Sequence, residues 1–179
     1  RFVHDNARLF DDYQAVAPVA LVYDNGANRQ GRGKIEPICV SLAERNIPFA
    51  VIIAGDDWLD YRLDARRLDK FKAVILATDT RAMDRQQAQL IDKVAAQGRV
   101  VNWPDDEKLA KLLPTPIEIA GSDHVMVVPR MIPGDDEAPL IVHVLNRQYD
   151  GPNDAVIPQT DVTVRLRNDL FPGRRFTKA

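Results

Sequence analysis

The sequence predicts an α/β fold: a parallel sheet with helices on both faces, followed by a small antiparallel β region. Three observations carry that prediction. Ala73-Val74-Ile75-Leu76-Ala77 is a short apolar run, and Arg99-Val100-Val101-Asn102-Trp103 begins a second buried run. Between them Asp84 to Gln97 has a helical pattern, with Ala88, Ile91, Val94 and Ala95 on one face and Gly98 as a stop. Strand, helix, glycine and strand form a βαβ unit, whose crossover is right-handed. Beyond Pro116 the apolar period changes to strict alternation, as in Asp161-Val-Thr-Val-Arg-Leu-Arg167, the mark of an antiparallel strand with one wet face.

The elements follow in order. Arg1 to Tyr13 reads as a connector helix through Phe2, Val3, Asn6, Leu9 and Phe10, halted at Asp11-Asp12, where negative charge opposes the helix dipole. Pro18 to Tyr23 is the first strand, apolar on both faces as a central parallel strand requires. Asp24-Asn25-Gly26 ends it and opens a loop to Gly33 that carries Arg29 and Arg32. Ile35 to Arg45 is the first sheet-packed helix, with Ile38, Cys39, Leu42 and Ala43 facing the sheet. Pro37 sits in its first turn, where the missing N–H does no harm, and Asn46 suits a left-handed cap. Phe49 to Ile53 is the second strand, ended by Ala54-Gly55-Asp56-Asp57. Trp58 to Lys70 reads as a loop and a short helix, and Asp105 to Leu112 as another short helix. Pro114 and Pro116 mark a boundary. After it come His124 to Val128, Leu140 to Leu145 and Asp161 to Arg167 as strands, then a terminal stretch Phe171 to Phe176. The expected division is residues 1–116 and residues 117–179. Three strands rarely make an independent sheet, so the second region either packs on the first or needs further strands.

Composition excludes several functions. Of 179 residues 45% are apolar and 28% charged, an ordinary globular balance. A net charge of −2 argues against a nucleic-acid surface. No apolar run approaches the roughly 20 residues of a membrane-spanning helix, so no membrane partner is expected. The single cysteine, Cys39, rules out an internal disulfide and a multi-cysteine zinc site. The chain does not begin with Met and reads as a mature or excised piece. No cofactor is expected.

Candidate site residues gather after strand ends. In a parallel sheet whose first and third strands are neighbours, ligands bind at the carboxyl ends near that switch point. Asp24, Asp56, Asp57 and Asp79 all follow strand ends. Converging carboxylates there suit Mg²⁺ and a receiver-like signalling site, although no matching Lys is evident. The plain alternative is turn and cap chemistry, which Asp favours. Trp58 and Trp103 follow strands too, with Asn25, Asp57 and Asn102 near in sequence. Aromatic rings beside amides suit a carbohydrate site; the alternative is a Trp packed on another domain or subunit. His143, flanked by apolar residues, reads as a core histidine, and Asn146 as a backbone partner.

The wording "FVHDNARLFDDY…APVALVYDN", "LAERNIPFAVIIAGDD" and "LDKFKAVILATDTRAMDRQQAQLIDKVAAQGRVVNW" resembles an accessory domain of multidomain bacterial glycoside hydrolases. That domain is flavodoxin-like and of the class I glutamine-amidotransferase type, the β-galactosidase trimerisation domain being an example. "PLIVHVLNRQYDGPNDAVIP" resembles the small β-domain that follows it, with its His-x-x-Asn stretch at His143 to Asn146. The resemblance implies a catalytic barrel upstream in the same polypeptide, a structural role that can include homo-oligomer contacts, and a periplasmic or extracellular setting. A working amidotransferase needs a Cys on a glycine-flanked strand-to-helix elbow, then a His and a Glu. The comparable turns here are Thr78-Asp79-Thr80 and Asn102-Trp103-Pro104. Cys39 lies inside a helix, where an unactivated thiol is a small apolar group. His4, His124 and His143 follow no nucleophile in triad order. The chain is therefore expected to be non-catalytic.

Overall fold

The computed structural model describes residue 7, residues 11–174 and residue 176. It divides into two compact units, Ala17–Thr115, and Arg1–Val16 together with Pro116–Ala179. The expected connector helix over Arg1 to Tyr13 lies for the most part outside the described residues. The first strand, β1 (Gln14–Ala15), belongs to the second unit.

The Ala17–Thr115 unit holds a four-stranded parallel sheet. Its strands are β2 (Val19–Asp24), β3 (Phe49–Ala54), β4 (Ala73–Leu76) and β5 (Val100–Asn102). They lie in the order β3-β2-β4-β5, with Val19 opposite both Phe49 and Ala73 and Val74 opposite Val100. Four helices connect them, α1 (Asn25–Arg29), α2 (Glu36–Glu44), α3 (Ala65–Leu68) and α4 (Arg85–Ala96), and α5 (Asp106–Leu112) follows β5. Successive strand residues point to opposite faces, so each apolar run feeds two cores. On one face Val19, Leu21, Ala73, Ile75 and Val101 pack with Ile38 and Leu42 of α2 and Leu109 of α5. On the other, Ala20, Val22, Ile52, Val74 and Leu76 pack with Leu68 of α3 and Ile91 and Val94 of α4. This covering of both faces explains why the parallel strands read as unbroken apolar runs.

Local chemistry sets the helix ends. Pro37 lies in the first turn of α2, and Asn46 just beyond it takes a left-handed φ of 51°. Asp64, Asp84 and Asp105 cap α3, α4 and α5 by accepting from Arg66, Gln87 and Lys108 N–H. Two local features differ from the sequence pattern. The stretch after Asp24 is not all loop: it contains α1, because the Asp24 carboxylate accepts from Ala27 N–H and closes a first turn. In α4 the buried residues are Gln87, Ile91 and Val94, while Ala95 is exposed. A polar side chain takes the inward place because backbone groups at Leu63 and Gly55 need its hydrogen bonds.

The second unit is antiparallel. β1 pairs with β7 (Val125–Met131), with Gln14 opposite Met131, and β7 pairs with β8 (Ile141–Asn146), with Val127 opposite Val144. β6 (Ile117–Ala120) pairs with β11 (Thr163–Leu166), and a short hairpin joins β9 (Tyr149–Asp150) to β10 (Ala155–Val156). Its core is Val16, Ile117, Val125, Val127, Leu170 and Phe171, with Val162, Val164 and Leu166 packed against it. The stretch from Phe171, read from sequence as a terminal excursion, thus begins with a core residue. Asn146 bonds backbone, donating to Ile157 O at 2.7 Å and accepting from Gln148 N–H at 2.9 Å.

Candidate functional site

The carboxyl ends of β2, β3 and β4 carry most of the predicted site residues of the parallel-sheet unit. Asp24 ends β2 and is 6% exposed. Its Oδ1 accepts from Ala27 N–H at 3.0 Å, while Oδ2 is buried with no hydrogen-bond partner. Burial pushes its carboxyl above the usual value; the Ala27 and Gly26 N–H groups and Arg32 pull the other way.

Gly55 and Asp56 follow β3, and Asp56 is the hub of the site. Its Oδ1 accepts from Asn25 Nδ2 and Trp58 N–H, both at 2.9 Å, and from Leu59 N–H at 3.1 Å. Its Oδ2 takes an ion pair from Arg29 at 2.9 Å. Partial burial resists ionisation, but the Trp58, Asn25, Arg29 and Leu59 donors win and hold the carboxyl at about 2. The Arg29 guanidinium also lies 4.6 Å from the centroid of the Trp58 ring. Asp56 therefore ties the end of β3 to α1 and folds the following loop. Asp57, singled out from sequence, is exposed beside it in the chain.

Asp79 follows β4. Arg81 donates to it through Nε at 2.8 Å and through its backbone N–H at 3.0 Å, and Arg32 stands 3.7 Å away. The Arg81 side-chain and backbone hydrogen bonds hold the Asp79 carboxyl at about 2. Arg32 acts on both Asp24 and Asp79, while Arg29 pairs with Asp56 and Arg81 is the main partner of Asp79. Among the described residues no group of three or more His, Cys, Asp or Glu side chains is placed to hold a metal ion.

The remaining predicted residues are at the end of β5, where Asn102 stands opposite Leu76 of β4. Asn102 ends β5 and is exposed. Trp103 donates its N–H to Leu76 O at 2.9 Å, and its partly buried ring packs against the core of Leu109 and Leu113. The peptide bond to Pro104 is cis. Trp58, by contrast, is 80% exposed. Asn25, Arg29, Asp56 and Trp58 form the group that the fold brings together, and the Asp56–Trp58–Leu59 turn was visible only as an Asp followed by suitable N–H donors.

Cys39 lies within α2, partly buried against the core of Ile38 and Leu42. Burial, then the Glu36 charge, pushes its thiol above the ordinary value, away from nucleophilic thiolate. His124 is exposed next to Asp123 in the second unit, His143 lies on β8, and His4 falls outside the described residues. No helix among the described residues is long and apolar enough to cross a membrane.

Two curated proteins resemble the chain along nearly its whole length. It is 27% identical to an α-agarase of Thalassotalea agarivorans over 180 aligned positions, 96% of this chain. It is 24% identical to an α-agarase of Alteromonas agarilytica over 172, 92% of this chain. Both relatives are glycoside hydrolases, and the chain spans only about 12% of the length of each. No family model matches the chain, and no solved structure matches it significantly.

Proposed function

We propose that this chain is a non-catalytic accessory segment of a larger glycoside hydrolase. In this reading its parallel-sheet unit is an amidotransferase-like, flavodoxin-like domain, followed by the start of a β-domain. Its work is structural: it braces the catalytic barrel of the same polypeptide or forms contacts between subunits. The observation that carries the reading is the coverage. Nearly all of this chain aligns with about an eighth of each α-agarase, as an auxiliary part of a long enzyme would. The sheet order supports the domain type, since in chain order of the parallel strands it runs 2-1-3-4, the start of the flavodoxin-like series.

The chemistry of the strand ends supports the lack of catalysis. An amidotransferase thiol must be ionised at a strand-to-helix elbow with donors for an oxyanion. The thiol of this chain sits mid-helix with a raised pKa. The turn after β4 is occupied by an Asp79–Arg81 pair rather than a nucleophile. Glycoside hydrolysis needs a pair of carboxyl groups with one kept protonated near neutral pH. Asp56 and Asp79 are both held at about 2 and committed to arginines, and Asp24, though raised by burial, is 6% exposed and caps α1 through Ala27 N–H.

The test is an assay of the purified chain against glutamine and against agarose. Neither is expected to be hydrolysed. Glutaminase activity abolished by Cys39→Ala, or steady release of reducing ends from agarose, would overturn the reading.

A further inference from the structure

Trp58 is 80% exposed, yet the loop that carries it is tightly folded. Gly55 N–H donates to Tyr61 O at 3.1 Å, and Asp56 N–H to Leu59 O at 3.0 Å. The Asp56 carboxylate takes the Trp58 and Leu59 N–H groups. A Cβ on Gly55 would lie 1.9 Å from Leu59 O, so the chain closes on itself there. Arg29, fixed by its ion pair to Asp56, backs the indole at 4.6 Å. An indole held out in water by a structured loop has lost conformational freedom already. A ligand stacking on it gives up little further entropy.

The surroundings narrow the ligand. The loop follows the carboxyl end of β3, the edge strand of the parallel sheet, next to β2 and one strand from the switch between β2 and β4. The axial C–H bonds of a pyranose form an apolar, slightly positive face, which matches the negative face of an aromatic ring. Exposed Asp57 and Asp60 in the same loop can accept from sugar hydroxyls, and Arg62 can donate. Three carboxylates at 56, 57 and 60 against two guanidiniums at 29 and 62 leave the loop net negative. That balance disfavours sulfated glycans and nucleic acids.

We propose that the Trp58 loop is a saccharide-stacking subsite for a neutral polysaccharide chain. This rests on the reading of the chain as part of a glycoside hydrolase, and it assigns that part a substrate-holding role.

The experiment is calorimetry of the purified chain with neutral agaro-oligosaccharides, with sulfated carrageenan oligosaccharides as the charged comparison. The wild-type chain is expected to bind the neutral series and to bind the sulfated series more weakly. Trp58→Ala should weaken binding about tenfold or more, the effect of losing a stacked ring. Trp58→Tyr, which restores an aromatic face, should stay within about threefold of wild type. Thermal unfolding of both variants should match wild type, since the side chain is exposed. Unchanged binding by Trp58→Ala, tighter binding of the sulfated series, or no binding of either series by the wild type overturns the proposal. None of those outcomes touches the accessory-segment reading, which fails only if the chain proves catalytic.

Discussion

Gln87 and Asp24 are buried polar residues of the parallel-sheet unit, and they differ: the Gln87 amide is bonded at both ends, whereas Asp24 Oδ2 has no partner. Gln87, on the sheet-facing side of α4, is 1% exposed and satisfied at both ends of its amide. Its oxygen accepts from Leu63 N–H at 3.1 Å; its nitrogen donates to Gly55 O at 2.9 Å and Asp84 Oδ2 at 2.7 Å. Gln87→Leu keeps the size but strands a buried N–H and a carbonyl, so it should cost about 2–4 kcal/mol in urea unfolding. Asp56 makes a different prediction. Its folded pKa of about 2 lies below the ordinary 3.8, so it stabilises the fold above pH 4. That contribution fades as pH falls towards 2, and Asp56→Asn should flatten this acid limb of a stability-against-pH curve. Hydrophobic pattern could not reveal either role. The sequence names Asp56 and Asp57 together at the turn where Asp56 makes the bonds, because adjacent carboxylates differ only in which one folds back on the N–H groups ahead. The pattern assigned Ala95 to the buried face of α4 because nothing in the sequence reports that Leu63 and Gly55 need an amide.

At the scale of elements, the parallel strands were legible and the short antiparallel ones less so. β2, β3 and β4 are apolar runs because both sheet faces are covered, and burial on two sides leaves an unmistakable sequence mark. β6 has two inward positions, Ile117 and Ile119, between Pro116 and Gly121, too few to show a period. β9 and β10 are each two residues long and mostly exposed. The helix α1 was hidden for a related reason: Asn25-Gly26 reads as a turn, and only the Asp24 cap draws it into a helical one. The loop from Gly55 to Tyr61 is the element on which both sheet end and indole depend. Gly55→Ala would push a methyl group into Leu59 O and the Tyr61 backbone, so the loop must open. The expected cost is about 1–3 kcal/mol by chemical denaturation. Opening should also release Trp58 from Arg29, read as a change in its fluorescence.

At the scale of the whole molecule, the chain order and the structural units do not coincide. The 1–116 span expected from sequence includes residues that pair in the other unit, because a two-residue strand just before Pro18 leaves no period to read. β1 adds to β7, Val16 N–H donates to Pro129 O at 2.9 Å, and Val16 joins the core of Ile117, Leu170 and Phe171. Tyr13 Oη donates to Pro139 O at 3.0 Å, and the Arg130 guanidinium donates to Tyr13 O. Residues 13–16 are therefore stitched into the antiparallel unit although some hundred residues of sequence separate them from the rest of it. That arrangement makes the two units unequal when cut. Residues 17–115 contain all four parallel strands and both of their cores, so that fragment should fold alone and unfold in one cooperative transition. Residues 116–179 alone would leave β7 as an uncovered edge and remove Val16 from a small core, and a unit of that size has little stability to spare. It should give poorly dispersed amide NMR signals, and dispersion should return when residues 1–16 are joined to it through a flexible linker. A well-dispersed spectrum from residues 116–179 without that segment would show that the N-terminal strand decorates the unit rather than completing it.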